Sequence, residues 1–159
     1  MDMKNENKEI QIEDIWNDKK KGELKKFILS HSAKQSKERI LTNELLSIQY
    51  KLEDYIQNES DSTEVLKILD FVKMYLKALN LTKKELATYF EMRDSNLHKY
   101  LSGERKLNAK LVLKLSTFSH TKPEQWYRVE VKNELIELNK EKANVEYYKK
   151  FDYRNLVEV

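Results

Sequence analysis

Between Thr82 and Gly103 the sequence TKKELATYFEMRDSNLHKYLSG is punctuated so closely that two short helices joined by a tight turn are the natural reading. Thr82 suits the cap of a first helix, and Glu85, three residues on, completes a capping box with it. Leu86, Ala87 and Phe90 follow at helical spacing, with a small residue where a second helix must approach closely. Glu91-Met92 makes the turn, and Met92 returns an apolar side chain to the core. The second helix begins near Arg93 or Asp94. It buries Leu97, Tyr100 and Leu101, leaving Ser95, Asn96, His98 and Lys99 outward. Gly103 ends it, because the residue after a helix often takes a positive φ. Apolar face, polar face, cap and stop all agree.

A pair of helices of this kind presents the N-terminal part of the second one to base edges in the major groove. Arg93 could address guanine with two hydrogen bonds and Asn96 adenine in the same way, each pair worth roughly 1–3 kcal/mol of discrimination. Ser95, His98 and Lys99 are further base or phosphate candidates. Asp94 could accept from cytosine or cap the helix. Lys83 and Lys84 stand where phosphate would meet the first helix's free N–H groups, and Arg105 and Lys106 would do the same from the following loop. The charge agrees. From Leu81 to Lys122 nine lysines and arginines face four acidic residues, in a chain whose net charge is only +3. A basic stretch centred on such a motif is the footprint of a DNA binder. One unit covers a short half-site, so a homodimer on an inverted repeat of double-stranded DNA is expected.

Leu86 to Arg105, LATYFEMRDSNLHKYLSGER, resembles the helix-turn-helix of XRE/Cro-type regulators, roughly LAxxLGVSxxTISRxxNGxR, without a gap. The following LNAKLVLKLSTFSHTKPEQWYRVEVKNEL is similar to the continuation in HigA-type antitoxins, a helix, a loop and a Trp-bearing helix. Glu91 replaces the usual turn Gly, and Arg93 sits where a capping Ser or Thr is common. The resemblance spans about Glu64 to Leu138. It implies an all-α, lambda-repressor-like helix-turn-helix bundle. It further implies a transcriptional repressor, an antitoxin that neutralises a HigB-like ribonuclease toxin and represses its own operon. A free-standing XRE regulator and a protein-binding adaptor are the alternatives.

Two Gly and one Pro in 159 residues leave few helix breakers, favouring long helices throughout. Asn80 stands where the family commonly has Gly and suits a left-handed helix stop. It ends a helix expected over Thr63 to Asn80, capped by Asp61, Ser62 or Thr63, with Val65, Leu66, Leu69, Val72, Leu76 and Leu79 on its apolar face. Asn108 caps a helix to about Phe118 with Leu111, Val112 and Leu115 inward. Pro123 opens another, to about Lys142, lined by Trp126, Val129, Val131, Leu135 and Leu138.

Toward the N-terminus, residues 1–21 read as a flexible arm, with one helical turn near Ile12 to Trp16. Trp16 is either a partner anchor or packs on its own domain. Residues 22–60 read as an N-terminal helical extension. Within it a short helix over Glu23–Ser30 breaks at His31-Ser32-Ala33, and a longer one runs from Ser36 to about Gln57. Leu41, Leu45, Ile48, Leu52 and Tyr55 form an apolar stripe on the longer helix. The stripe serves either ordinary packing or a dimer or toxin surface. Asn58 to Ser62 reads as a linker. Residues 61–142 form the DNA-binding domain and 143–159 a tail. In the tail Tyr147, Tyr148, Phe151 and Tyr153 alternate with Lys149, Lys150 and Arg154, which suits nucleic-acid contact or folding back on the protein.

No catalytic constellation emerges. His31, His98 and His120 are scattered without metal-ligand spacing, two Gly cannot build a phosphate loop, and the Ser residues lack a nucleophile elbow. No cofactor is expected. A mean hydropathy of −0.80, no cysteine and no apolar run of membrane length fit a cytoplasmic location.

Overall fold

A computed structural model describes residues 18–58 and 64–157. These form seven α-helices, α1 (Asp18–Gln57), α2 (Ile68–Leu79), α3 (Lys83–Tyr89), α4 (Asp94–Leu101), α5 (Ala109–Ser119), α6 (Pro123–Asn139) and α7 (Lys142–Lys149), then a 3-10 turn, Tyr153–Asn155. Among the described residues there is no strand. The bundle is all-α and fits the lambda-repressor-like plan. The chain divides into two compact units, Met1–Asn43 and Glu44–Val159. The expected turn at Ile12 to Trp16, the Trp16 anchor, most of the 1–21 arm, the caps Asp61 to Thr63 and most of the expected linker lie outside the described residues.

In the first unit the described chain is helical throughout, so the expected break at His31-Ser32-Ala33 does not occur. Lys19, Lys20 and Lys21, expected in the arm, are helical as well. Neither Gly nor Pro stands at 31–33. Phe27 stacks on His31 one turn later, with ring centroids 6.0 Å apart, and His31 Nε2 lies 3.2 Å from Gln35 Nε2. Pairs four residues apart support a helix across that site.

The second unit holds the core. Leu52 from α1, Phe71 from α2, Leu97 and Leu101 from α4, Leu115 from α5, and Trp126 and Val129 from α6 are completely buried in one cluster. Ile48 and Tyr55 belong to the same cluster, with Leu45 packed against it. At Ile48, Leu52 and Tyr55 the stripe read as a candidate partner surface serves ordinary packing. Leu41, at the end of the first unit, is half-buried.

Helix α2 starts at Ile68 rather than near Thr63 because the preceding backbone is bonded elsewhere. The Leu66 N–H donates to Tyr55 Oη (3.3 Å), and Asn133 Nδ2 donates to the Leu66 carbonyl (2.9 Å). Tyr55 Oη in turn donates to Asn133 Oδ1 at 2.6 Å. Asp70 then accepts the Lys67 N–H at 2.8 Å and closes the first turn. Lys132 donates to the carbonyls of Tyr55 and Asn58 at the end of α1, and its ammonium lies 4.1 Å from the Tyr55 ring centroid. A cation there meets the negative end of the helix dipole.

The Trp126 indole N–H donates to Thr121 Oγ1 (2.9 Å), which bonds Ser119 Oγ (2.7 Å), and that hydroxyl donates to the Leu115 carbonyl (2.6 Å). A buried indole needs such a partner. Beyond Val129 the expected lining of α6 does not hold: Val131, Leu135 and Leu138 are exposed, and the helix ends at Asn139. The tail forms α7 and the 3-10 turn without burying its rings. Tyr147, Tyr148 and Phe151 pack on one another at centroid distances of 5.2 to 6.3 Å and stay half-exposed or more.

Tyr75 is buried in the core, yet its hydroxyl has no hydrogen-bond partner. Burial, reinforced by the Glu53 carboxylate, pushes its phenol up to about 12. Between pH 10 and that value the folded state holds a proton the unfolded state has released, so stability falls as pH rises through this range. Tyr75→Phe is expected to leave stability at pH 7 unchanged or raise it by up to about 1 kcal/mol, and to flatten the alkaline decline. Urea unfolding at pH 7 and pH 11 checks both, and a loss above about 2 kcal/mol at pH 7 would contradict the first.

Candidate nucleic-acid interface

The α3–turn–α4 unit forms by local rules. Thr82 Oγ1 accepts the Glu85 N–H at 3.1 Å and Glu85 Oε2 accepts the Thr82 N–H at 3.2 Å, the expected capping box. Phe90 ends α3, and Glu91 takes a left-handed conformation with φ 58°. The Met92 N–H returns to the Ala87 carbonyl at 2.8 Å, and its side chain packs against the core. Lys114 of α5 donates to the Phe90 carbonyl, closing the C-terminus of α3. That lysine, counted in the basic footprint, has a structural task.

Helix α4 follows with Arg93 in the N-cap position, and no side chain bonds its free N–H groups. Asp94 is therefore not the cap. Its carboxylate lies 3.9 Å from Lys83 Nζ, and the same ammonium is 3.0 Å from His98 Nδ1. An ammonium can only donate, so Nδ1 accepts. Lys83, expected as a phosphate contact, ties the start of α3 to the outward face of α4 in the DNA-free protein. Lys84 next to it stays exposed. Leu97 and Leu101 are completely buried, which fixes which face turns outward. On that face Arg93, Ser95 and His98 are exposed and Asn96 and Lys99 half-exposed. Five of the expected reading residues thus share one surface with Asp94.

Gly103, at φ 87°, turns the chain out of α4, and the Arg105 N–H bonds back to the Lys99 carbonyl at 2.9 Å. The Arg105 guanidinium sits 5.9 Å from the Tyr100 ring centroid, and the Tyr100 hydroxyl accepts from Asn108 Nδ2 at 3.3 Å. Asn108 Oδ1 caps α5 through the Leu111 N–H at 2.9 Å. Lys106 pairs with Glu134 of α6 at 3.8 Å but is largely exposed, and a pair so placed gives way easily to phosphate. The next N–H, of Leu107, is held by Glu130 Oε2 at 2.7 Å. Glu130 was not foreseen from sequence, since nothing local links it to a loop 23 residues earlier. Burial raises its carboxyl above the ordinary range, the Leu107 N–H pulls it down, Glu134 adds to the rise and Lys106 opposes it.

Residues 72–124 match the family model HTH_3, described as Helix-turn-helix. The match, to a model of the XRE-type helix-turn-helix, covers about a third of the chain. The match runs from within α2 to the first turn of α6, so it takes in both helices of the motif and the loop after them. An XRE-type helix-turn-helix is a DNA-binding regulatory domain rather than an enzyme fold, and it supports reading the chain as a DNA-binding regulator. No curated protein and no solved structure matches the chain. Among the described residues no group of His, Asp and Glu could hold a metal ion, and no helix is long and apolar enough to cross a membrane.

Two outcomes follow from the helix-turn-helix geometry. Glu91→Gly should stabilise the protein by about 1 kcal/mol, because Gly takes a left-handed turn without the side-chain clash that Glu bears there. Thermal unfolding reads this as a rise in Tm, and a fall would mean that the Glu91 side chain carries a contact of its own. Glu130→Gln keeps an oxygen for the Leu107 N–H and removes the buried charge. With its carboxyl raised, Glu130 makes folded stability fall as pH rises from 4.5 through its own titration. The difference in stability between variant and parent should therefore grow in the variant's favour over that window, as measured by denaturant unfolding across pH.

Proposed function

We propose that the protein is a sequence-specific transcriptional repressor that reads an inverted-repeat operator as a homodimer. The observation that carries this reading is α4. One face is wholly buried through Leu97 and Leu101, and the other offers Arg93, Ser95, Asn96, His98 and Lys99 to solvent. Arg93, at the helix start, reads guanine, and Asn96, one turn in, reads adenine through paired hydrogen bonds. Ser95 and Lys99 add base or phosphate contacts. Lys84, Arg105 and Lys106 hold the phosphate backbone on either side of the groove. Lys83 keeps Asp94 and His98 occupied in the free protein, and it can turn to phosphate when DNA arrives.

The finer reading is a HigA-like antitoxin that represses its own operon and neutralises a HigB-like toxin. It is supported by the likeness of Leu86–Leu135 to that family's helix-turn-helix and Trp-bearing continuation.

Fluorescence anisotropy with the DNA upstream of the protein's own gene tests the repressor reading. Binding to that duplex is expected to be tight, to weaken steeply with salt and to exceed binding to a random duplex by at least about 10³-fold. Asn96→Ala/Lys99→Ala should remove the preference. Equal, weak binding to both duplexes would refute an operator at that place. Purification from the native host decides the antitoxin reading: a small partner at fixed ratio supports it, and a protein that elutes alone is a free-standing regulator.

A further inference from the structure

Net positive charge is confined to two stretches of this chain. One is the helix-turn-helix region from Leu81 to Lys122, with nine basic and four acidic residues. The other is Asp18 to Asn43 in α1, with eight basic residues against Asp18, Glu23 and Glu38. Elsewhere 13 basic residues face 20 acidic ones. The first half of α1 is thus as basic as the DNA-reading motif, although its charge serves no core. All eight of its cations are exposed.

We propose that residues 18–43 of α1 are a second nucleic-acid contact, a sequence-independent clamp on duplex DNA phosphates. The proposal deepens the reading of the chain as a DNA-binding repressor. Helix geometry supports it. Twenty-six residues at 1.5 Å each make a rod of about 39 Å, and duplex DNA carries about one phosphate charge per 1.7 Å of axis. Lys19, Lys26 and Lys37 recur on one side of the helix, and Lys21, Lys25 and Arg39 on another, so cations flank the exposed Leu24, Phe27 and Ile28. Like charges at this density repel within the helix, and phosphate relieves the repulsion while its counterions are released. Such a contact contributes affinity and salt dependence but no sequence preference.

The test uses the full chain and a quadruple variant, Lys19→Gln/Lys21→Gln/Lys25→Gln/Lys26→Gln. Gln is as good a helix former as Lys, and far-UV circular dichroism verifies that helix content is kept. Anisotropy is followed across a salt series on a random duplex and on the upstream duplex. The slope of log affinity against log salt should fall by about two or more on both duplexes, each lost phosphate contact removing roughly 0.9. The preference for the upstream duplex should stay unchanged. The matching Lys→Arg quadruple should restore the slope. An unchanged slope in the Gln variant overturns the proposal. So does an unchanged slope combined with lost binding to phosphatidylserine vesicles, which would assign this face to a membrane surface. A parent protein that binds both duplexes alike, but whose slope still falls in the Gln variant, would refute an operator at that place and leave the clamp standing.

Discussion

The burial of Leu97 and Leu101 is the constraint on which the interface depends. A helix of eight residues has little stability of its own, and α4 persists because one face is buried in the common core through Leu97 and Leu101. That burial fixes the rotation of the helix about its axis. It thereby sets which side chains face outward. Truncating either leucine would leave a cavity and also free the reading face to turn.

Around that helix the fold uses polar contacts as positioning devices rather than as sources of stability. Glu130 reaches from α6 to the Leu107 N–H, Lys106 pairs with Glu134, and Arg105 rests on Tyr100, so the loop after α4 is held at several points. Lys114 closes the end of α3, while Lys83 spans to Asp94 and His98. The electrostatic footprint seen in the sequence is thus divided. Some cations hold the motif in shape, and others remain exposed for a polyanion. The distinction matters for mutagenesis, because neutralising Lys114 perturbs the scaffold whereas neutralising Lys84 changes the surface.

A second device joins distant parts of the larger unit. Tyr55, Asn133 and the backbone of Leu66 exchange hydrogen bonds, and Lys132 adds a cation at the end of α1. This clamp explains why α2 is shorter than its apolar periodicity suggests. The backbone at Leu66 is already satisfied by tertiary partners, so extending the helix would break those bonds. The same cluster draws Leu52 and Tyr55 into the core, which is why an amphipathic stripe with two open readings is packing.

The features legible in the sequence are those governed by neighbours a few residues apart. The Thr82–Glu85 capping box, the left-handed stop at Asn80, the Asn108 cap, Pro123 at a first turn and the Gly103 exit all follow from local backbone chemistry. The buried positions Leu97, Leu101, Leu111 and Leu115 follow from helical periodicity, and that of Trp126 from the resemblance to the Trp-bearing helix of HigA-type antitoxins. Helix continuity through His31 was missed because polar residues weaken a periodic pattern without breaking a helix. Tertiary structure alone decided the rest. It placed Glu130 against Leu107, Lys83 against Asp94 and His98, and Tyr55 against Asn133, and it left Val131, Leu135 and Leu138 outside the core. Each of these depends on which helices meet and at what rotation. Periodicity gives a helix a face, but only packing against other helices determines what that face meets.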